Sequence, residues 1–331
     1  MKLDIIVPHY KEPWEVCKYL FDTIATQRGV LFDNIQVIVV NDGEECAIKA
    51  EHTPLFENYP YRVIGHTIPH GGVSAARNCG LGLSEADYVM FCDIDDGFLN
   101  NYALHLIFSA MQEGFDFLCG AFVEETWDSK GNPIIAPHTR DITFMHGKAY
   151  RREFLLEHDL YFDKRMTLHE DGYFNMLAFA VAKEKGKVKF IDTPYYLWRW
   201  NDNSTVRKDR QDFVLRTYPD VMLTRIGLCD QLKKRGMAEE YESAVCMTVM
   251  NSYYDFQKPS YREAKNHHYT KTAEKAFKMF FAQHGKAFRN ATNLKISEIA
   301  KSAREIATNN GMLMEQESVR QWLKHIEYEV R

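Results

Sequence analysis

The chain has 331 residues, 45% hydrophobic and 26% charged, enough for one large or two ordinary domains and unlike a disordered chain. Its 41 Lys and Arg stand against 46 Asp and Glu, a net charge of −5, which excludes a generic nucleic-acid binder. The balance is uneven: residues 1–206 hold 19 basic and 30 acidic side chains and residues 207–331 hold 22 and 16, so −11 is followed by +6.

Leu3–Val7 has the pattern of a short buried strand, ended by Pro8. Trp14, Cys17, Leu20, Phe21 and Ile24 recur at helical spacing across residues 13–27, with Pro13 suited to a first turn. Ile35–Val40 is a second strand rich in β-branched residues, and Tyr61–Gly65 a third. Val73–Leu83 reads as a helix of small residues, and Tyr88–Cys92 as a strand that stops at a cluster of acids. Strand and helix alternating at this spacing imply parallel pairing with right-handed crossovers. Ligands of such sheets sit beyond the carboxyl ends of the strands. The polar junctions after Val7, Val40 and Cys92 all lie there.

Beyond residue 115 the pattern is mixed. Phe115–Val123 and Lys187–Asp192 read as strands, residues 128–131 as a turn and Asn175–Ala182 as a helix. From about residue 209 the strand signal disappears. Helices are expected over 212–236, 238–257, 262–284, 296–307 and 315–330. The apolar run near the N-terminus is short for a signal peptide and is broken by Asp4, and no run reaches the roughly 18 apolar residues of a membrane helix. Seven cysteines without a CxxC pair suit reduced thiols. The expectation is a cytoplasmic protein.

Five clusters could carry chemistry. In Cys92-Asp93-Ile94-Asp95-Asp96 three carboxylates repel one another unless a cation neutralises them. If the segment is extended, Asp93 and Asp95 point to one side and suit Mg²⁺ or Mn²⁺; the ordinary alternative is a helix cap. Asn41-Asp42-Gly43 is a turn in isolation, but at a sheet mouth its Asp can accept the N3–H of a uracil. Gly71–Asn78 makes a helix start with Arg77 one turn in, where a guanidinium pairs with a diphosphate or a site acid, or simply lies at the surface. His169-Glu170-Asp171-Gly172 puts acids at a helix N-terminus, placed to stay ionised for proton abstraction or merely to match the dipole. Tyr195–Ser204 interleaves aromatics with Arg199 and amides, suited to stacking on a sugar or base or to a buried aromatic cluster.

Together and in this order, Val7-Pro8-His9-Tyr10, Asn41-Asp42-Gly43, Gly72–Leu81, Cys92–Asp96 and His169–Phe174 resemble the family 2 inverting glycosyltransferases of GT-A fold, over about residues 1–206. The resemblance implies an α/β domain, Rossmann-like, with a mostly parallel central sheet flanked by helices, followed by a mainly helical region over 207–331. It implies a UDP-sugar donor, a hydroxyl acceptor on a glycan or cell-surface polymer, single displacement with inversion, and Mn²⁺ or Mg²⁺.

By that likeness Pro8, Tyr10 and Glu12 border the base and Asp42 reads the uracil. Arg77 supports the nucleotide, Asp93 faces ribose or metal, and Asp95 coordinates the metal. Asp171 is the base, with Glu170 the first alternative, and Arg199 or Arg77 is the cation at the leaving diphosphate. His146 and Gly147 open the acceptor-facing region, to which Trp198 and Trp200 add aromatic surface. His9 stands where the family more often has a small polar residue and His70 where Asn is common. Near Ser204, where the family sometimes has a metal-ligating His, stand Trp200, Asn201 and Asp202.

The basic region after residue 207 suits an anionic acceptor, an acidic membrane surface or a second copy of the chain, or is an ordinary solvated face. Two other readings are a sugar nucleotidyltransferase and a non-catalytic carbohydrate-binding module. The first would want a glycine-rich loop after the first strand, which Pro8–Glu12 does not supply.

Overall fold

The computed structural model describes residues 1–44, 56–128, 130–202, 204, 210–309, 315 and 317–330. The chain divides into two units, Met1–Asp202 and Asn203–Arg331. The sequence boundary at 206/207 falls outside the described residues, as do Cys46 and Ser129.

The first unit runs β1 (Leu3–His9), α1 (Trp14–Ala25), β2 (Ile35–Asp42), β3 (Arg62–Ile68), α2 (Val73–Leu83), β4 (Tyr88–Phe91) and β5 (Gly97–Phe98). It continues through α3 (Ala103–Glu113), β6 (Phe117–Trp127), β7 (Pro133–His138), β8 (Lys148–Arg151), α4 (Arg152–Glu157), α5 (Glu170–Lys185) and β9 (Val188–Trp198). One sheet takes all nine strands in the order β3-β2-β1-β4-β8-β6-β9-β5, with β7 on β6. The β3-β2-β1-β4 part is parallel throughout, and the other part joins antiparallel pairs to a parallel β6–β9 pair.

β1 and β4 are buried along almost their whole length, which is why they read as continuous apolar runs. α2 lies directly on β1 because Gly80 has no side chain: a Cβ there would stand 2.3 Å from Ile6 Cγ2. Phe21, Leu104, Ile107 and Phe122 are among the side chains that close the core.

Between 97 and 157 the sequence pattern displays β6, expected as Phe115–Val123, but not β5, α3, β7, β8 or α4. β5 and β8 are two and four residues long, and β7 is an exposed strand bracketed by Pro133 and Pro137. α3 buries Ala103, Leu104, Ile107, Ala110 and Met111 at helical spacing that merges into the apolar run of β6.

The second unit is helical: α6 (Arg210–Lys234), α7 (Ala238–Gln257), α8 (Pro259–Glu263), α9 (His268–Asn290), α10 (Asn293–Asn309) and α11 (Val319–Val330). Its core gathers Met222, Val249, Tyr253, Phe277, Phe280 and Trp322. The expected helix over 262–284 instead starts at His268, because the His267 side chain accepts the Tyr269 N–H and caps it there. No helix among the described residues is long and apolar enough to cross a membrane.

Candidate active site

The parallel strands β1, β2 and β4 end side by side and set residues 9–12, 41–43 and 92–96 along one rim. The buried His9 ties the first two together, with Nδ1 2.7 Å from Asn41 Oδ1 and Nε2 3.0 Å from the Glu12 carbonyl. Pro8 stays partly exposed at the strand end, and Glu12 accepts the Tyr10 N–H. The exposed Tyr10 ring stacks on His70, centroids 4.8 Å apart. Asp42 is buried and accepts the N–H groups of Gly71 and Gly72 at 2.7 and 2.9 Å, with His70 Nδ1 2.9 Å from Oδ2. The paired glycines before α2 therefore clamp the Asp42 carboxylate.

After β4 the backbone does not stay extended. Asp96 N–H donates to the Asp93 carbonyl at 3.1 Å, so residues 93–96 form a turn, and the expectation that Asp93 and Asp95 share a side of a strand is corrected. The turn brings Asp96 beside Asp93 and, with His146, gathers three ligand atoms within 4.8 Å of one another. Asp96 is deeply buried. It accepts the Tyr196 hydroxyl at 2.9 Å and the Arg199 N–H at 3.0 Å, and His146 Nδ1 lies 3.3 Å away. Asp95 is held apart by Asn201, whose Nδ2 donates to Oδ2 at 2.7 Å. Arg199 donates to the Asp95 carbonyl and lies 4.0 Å over the Tyr19 ring.

The electrostatics follow from three acids in one turn. Burial, then the charges of Asp96 and Asp93, push Asp95 up to about 6. Burial also raises Asp96. Burial acts the same way on Asp93, but Arg77 and His146 outweigh it and hold that carboxyl below its usual range. Burial would lower His146, yet Asp96, Asp93 and Asp171 overcome it and favour the imidazolium. Each group is set by the charges around it.

Arg77, buried on α2, reaches two of these elements. It donates to Asp93 Oδ1 and to Glu170 Oε1, both at 2.8 Å. Glu170 opens α5 after His169, which adopts a left-handed backbone. Burial and the neighbouring Asp171 push Glu170 up to about 7 against the pull of Arg77. Asp171 is only partly buried. Its Oδ1 accepts the adjacent Gly172 N–H, and its charge acts on His146 and Arg77 alike.

Gly147 is structural: its φ is +68°, and a Cβ there would stand 2.8 Å from the Gly120 carbonyl. Its own carbonyl accepts the Tyr195 hydroxyl at 2.7 Å. Trp198 stacks on His146 at 4.7 Å. Trp200 turns away from the acids, its N–H donating to Glu125 and its indole N–H to Asp202.

Two carboxylates and an imidazole suit a divalent ion of the Mg²⁺ or Mn²⁺ kind. The geometry fits one. His146 Nδ1 is buried without a well-aligned hydrogen bond, and the carboxylate crowding that raises Asp95 is the kind a cation relieves. Asp93 belongs both to this cluster and to the pair expected from the sequence.

Residues 4–172, just over half of the chain, match the family model described as glycosyl transferase family 2. The chain belongs to that family.

Relatives of this family 2 chain include the uncharacterized glycosyltransferase EpsJ of Bacillus subtilis (strain 168), 29% identical over 61% of this chain and 62% of EpsJ. The minor teichoic acid biosynthesis protein GgaA of the same organism is 28% identical over 65% of this chain and 49% of GgaA. The chain thus spans less than two thirds of these relatives. S. aureus TarS 1–349, solved with UDP-GlcNAc, is 16% identical and shares the fold at a TM-score of 0.50, covering 96% of this chain and 98% of that one. The family 2 chain has the GT-A architecture: a mixed sheet flanked by helices, with a helical C-terminal region.

Sequence reasoning put His146 on the acceptor side, whereas the structure sets it among the acids, 50 residues from Asp96 along the chain. It also passed over Asn201 as a partner of Asp95 and Lys148 behind the site, whose buried Nζ donates to the His146 carbonyl at 3.0 Å. The signal available for Lys148 was a cation directly before the apolar pair Ala149 and Tyr150 at the start of β8.

Proposed function

We propose that the chain is a metal-dependent inverting glycosyltransferase that moves a sugar from a UDP-sugar to a hydroxyl of a glycan or cell-surface polymer. The observation that carries this reading is the convergence of Asp93, Asp96 and His146 within 4.8 Å, under the charge of Asp171 and against Arg77. The donor class is supported by the UDP-GlcNAc in the TarS structure, and the acceptor class by the teichoic acid role in the name of GgaA.

In this reading Tyr10, Pro8 and Glu12 flank the base, and Asp42, held rigid by the Gly71 and Gly72 amides, accepts the uracil N3–H. Asp93, with Asp95, Asp96 and His146 as the neighbouring donors, would hold a Mn²⁺ or Mg²⁺. When bound, such an ion neutralises charge on the departing diphosphate. Arg199 adds a cation beside the same turn, while Arg77 keeps Asp93 oriented and ionised.

Asp171 takes the acceptor hydroxyl proton. Glu170 is the poorer base because its carboxylate is engaged by Arg77, whereas Asp171 is partly open to solvent. Attack on the face opposite the leaving group inverts the anomeric carbon. The helical region has no catalytic part in this scheme. Its net positive charge favours an anionic partner, either the acceptor or an acidic membrane surface, with a second copy of the chain the other candidate.

A panel of UDP-, GDP- and CMP-sugars screened by thermal shift with Mn²⁺ tests the reading, since a ligand bound only by the folded chain raises its melting temperature. UDP-sugars alone are expected to stabilise. Stabilisation by another nucleotide class would overturn the base assignment, and silence across the panel would overturn the reading.

A further inference from the structure

Beside the acid turn lies a second feature, a cavity of about 340 Å³ between the β6–β7 hairpin and the segment after β9. Trp127, Pro133, Ile134, Ile135, Glu125 and Trp200 line it. Three of these are large apolar side chains left in the open, Trp127 at 48%, Ile134 at 41% and Ile135 at 56% exposed. Exposed apolar surface gathered around a concavity marks a binding site more often than it marks an accident. The two indoles stand nearly perpendicular, centroids 5.6 Å apart.

The position of this cleft is set by the chain. Residues 198–202 run between it and the acids: the Arg199 N–H bonds Asp96 and the Asn201 side chain bonds Asp95, while Trp200 between them faces the hairpin. One short segment therefore presents one side to the acid turn and the other to the cleft. An occupant of the cleft thus lies across this segment from the acid turn.

We propose that this cleft is an acceptor subsite that holds a neutral sugar ring of the acceptor, its C–H face on Trp127 and Trp200 and its hydroxyls toward Glu125. The proposal rests on the glycosyltransferase reading and adds to it the hairpin residues and the chemistry of the occupant. Glu125 in the wall and Asp202 on the Trp200 indole put negative charge here, which disfavours a phosphate group in the cleft. A purely apolar occupant such as a lipid chain would cover the Glu125 carboxylate without offering it a donor in place of water. A sugar ring presents C–H groups on its faces and hydroxyl donors at its edge, which is the complement this wall requires.

Saturation-transfer NMR on the full chain with methyl β-D-glucopyranoside, methyl N-acetyl-β-D-glucosaminide and decyl phosphate as probes decides it. Saturation on ring C–H protons of at least one glycoside is expected. It should weaken roughly tenfold in Trp127→Ala and in Ile135→Ser and be retained in Trp127→Phe, the scale set by one aromatic contact. Calorimetry of UDP with Mn²⁺ on the same samples reports folding and the donor site separately, and all variants should bind UDP as wild type does. Glycoside saturation that persists in both Trp127→Ala and Ile135→Ser overturns the proposal, as does saturation of decyl phosphate alone. Loss of UDP binding in the wild type would overturn the donor reading and leave the glycoside result to be scored independently.

Discussion

Arg77 and Glu170, 93 residues apart in the chain, form a buried ion pair at 2.8 Å. The same guanidinium also holds Asp93, and Asp171 adds its charge nearby. Burial and the Asp171 charge keep the proton on Glu170 toward neutrality, while Arg77 together with His146 outweighs burial at Asp93 and keeps it ionised. Through Arg77, α2 fixes the end of β4 to the start of α5.

Arg77→Met should therefore destabilise the chain by about 3–5 kcal/mol, the cost of leaving buried carboxylates without their cation. Urea denaturation measures it. A loss below about 1 kcal/mol would mean that the acids relax into solvent when the arginine goes.

The raised Glu170 gives a pH signature. A carboxyl shifted from 4.5 to about 7 binds its proton more tightly folded than unfolded. Its stabilising contribution is complete below pH 4.5 and is lost as pH rises through about 7. Glu170→Gln does not titrate. The melting temperature of wild type should therefore fall relative to that variant between pH 4.5 and 7, and a constant difference across this window would contradict the assignment.

How much of this was legible in the sequence depended on whether the cause was local. β1, β2 and β4 announced themselves because buried parallel strands are apolar on both faces, and their polar ends located the rim. That Arg77 pairs with an acid of the site was among the sequence alternatives, but which acids was not legible, since nothing local distinguishes a guanidinium aimed inward at Glu170 from a surface one. The turn at 93–96 was not legible, because one hydrogen bond from Asp96 N–H to the Asp93 carbonyl decides between it and the extended geometry that would put Asp93 and Asp95 on one side. Of the cleft hairpin, β6 and the turn at 128–131 were legible and β7 was not, because its two prolines are a poor strand signal.

Gly147 offers a test of the backbone that carries His146. With φ at +68° and the Gly120 carbonyl 2.8 Å from any added Cβ, Gly147→Ala should cost about 1–3 kcal/mol. Thermal denaturation reads this out. An unchanged midpoint would show that the loop shifts freely and that His146 is not rigidly placed.

Asp171 and Glu170 are separated by turnover. Asp171→Asn should keep UDP binding and lose transfer by about 10²–10⁴-fold, the usual contribution of a general base. Glu170→Gln should retain most of its transfer rate. The opposite ranking would make Glu170 the base and Asp171 its neighbour.

The acid turn itself is tested most directly by calorimetric titration of UDP into the chain with Mn²⁺ and again with a chelator, in wild type and in Asp93→Asn and Asp95→Asn. Wild type should bind UDP with metal and lose most of that affinity under the chelator, and each variant should resemble the chelated protein. UDP bound equally well by wild type and both variants, with or without the ion, would contradict the account at its centre.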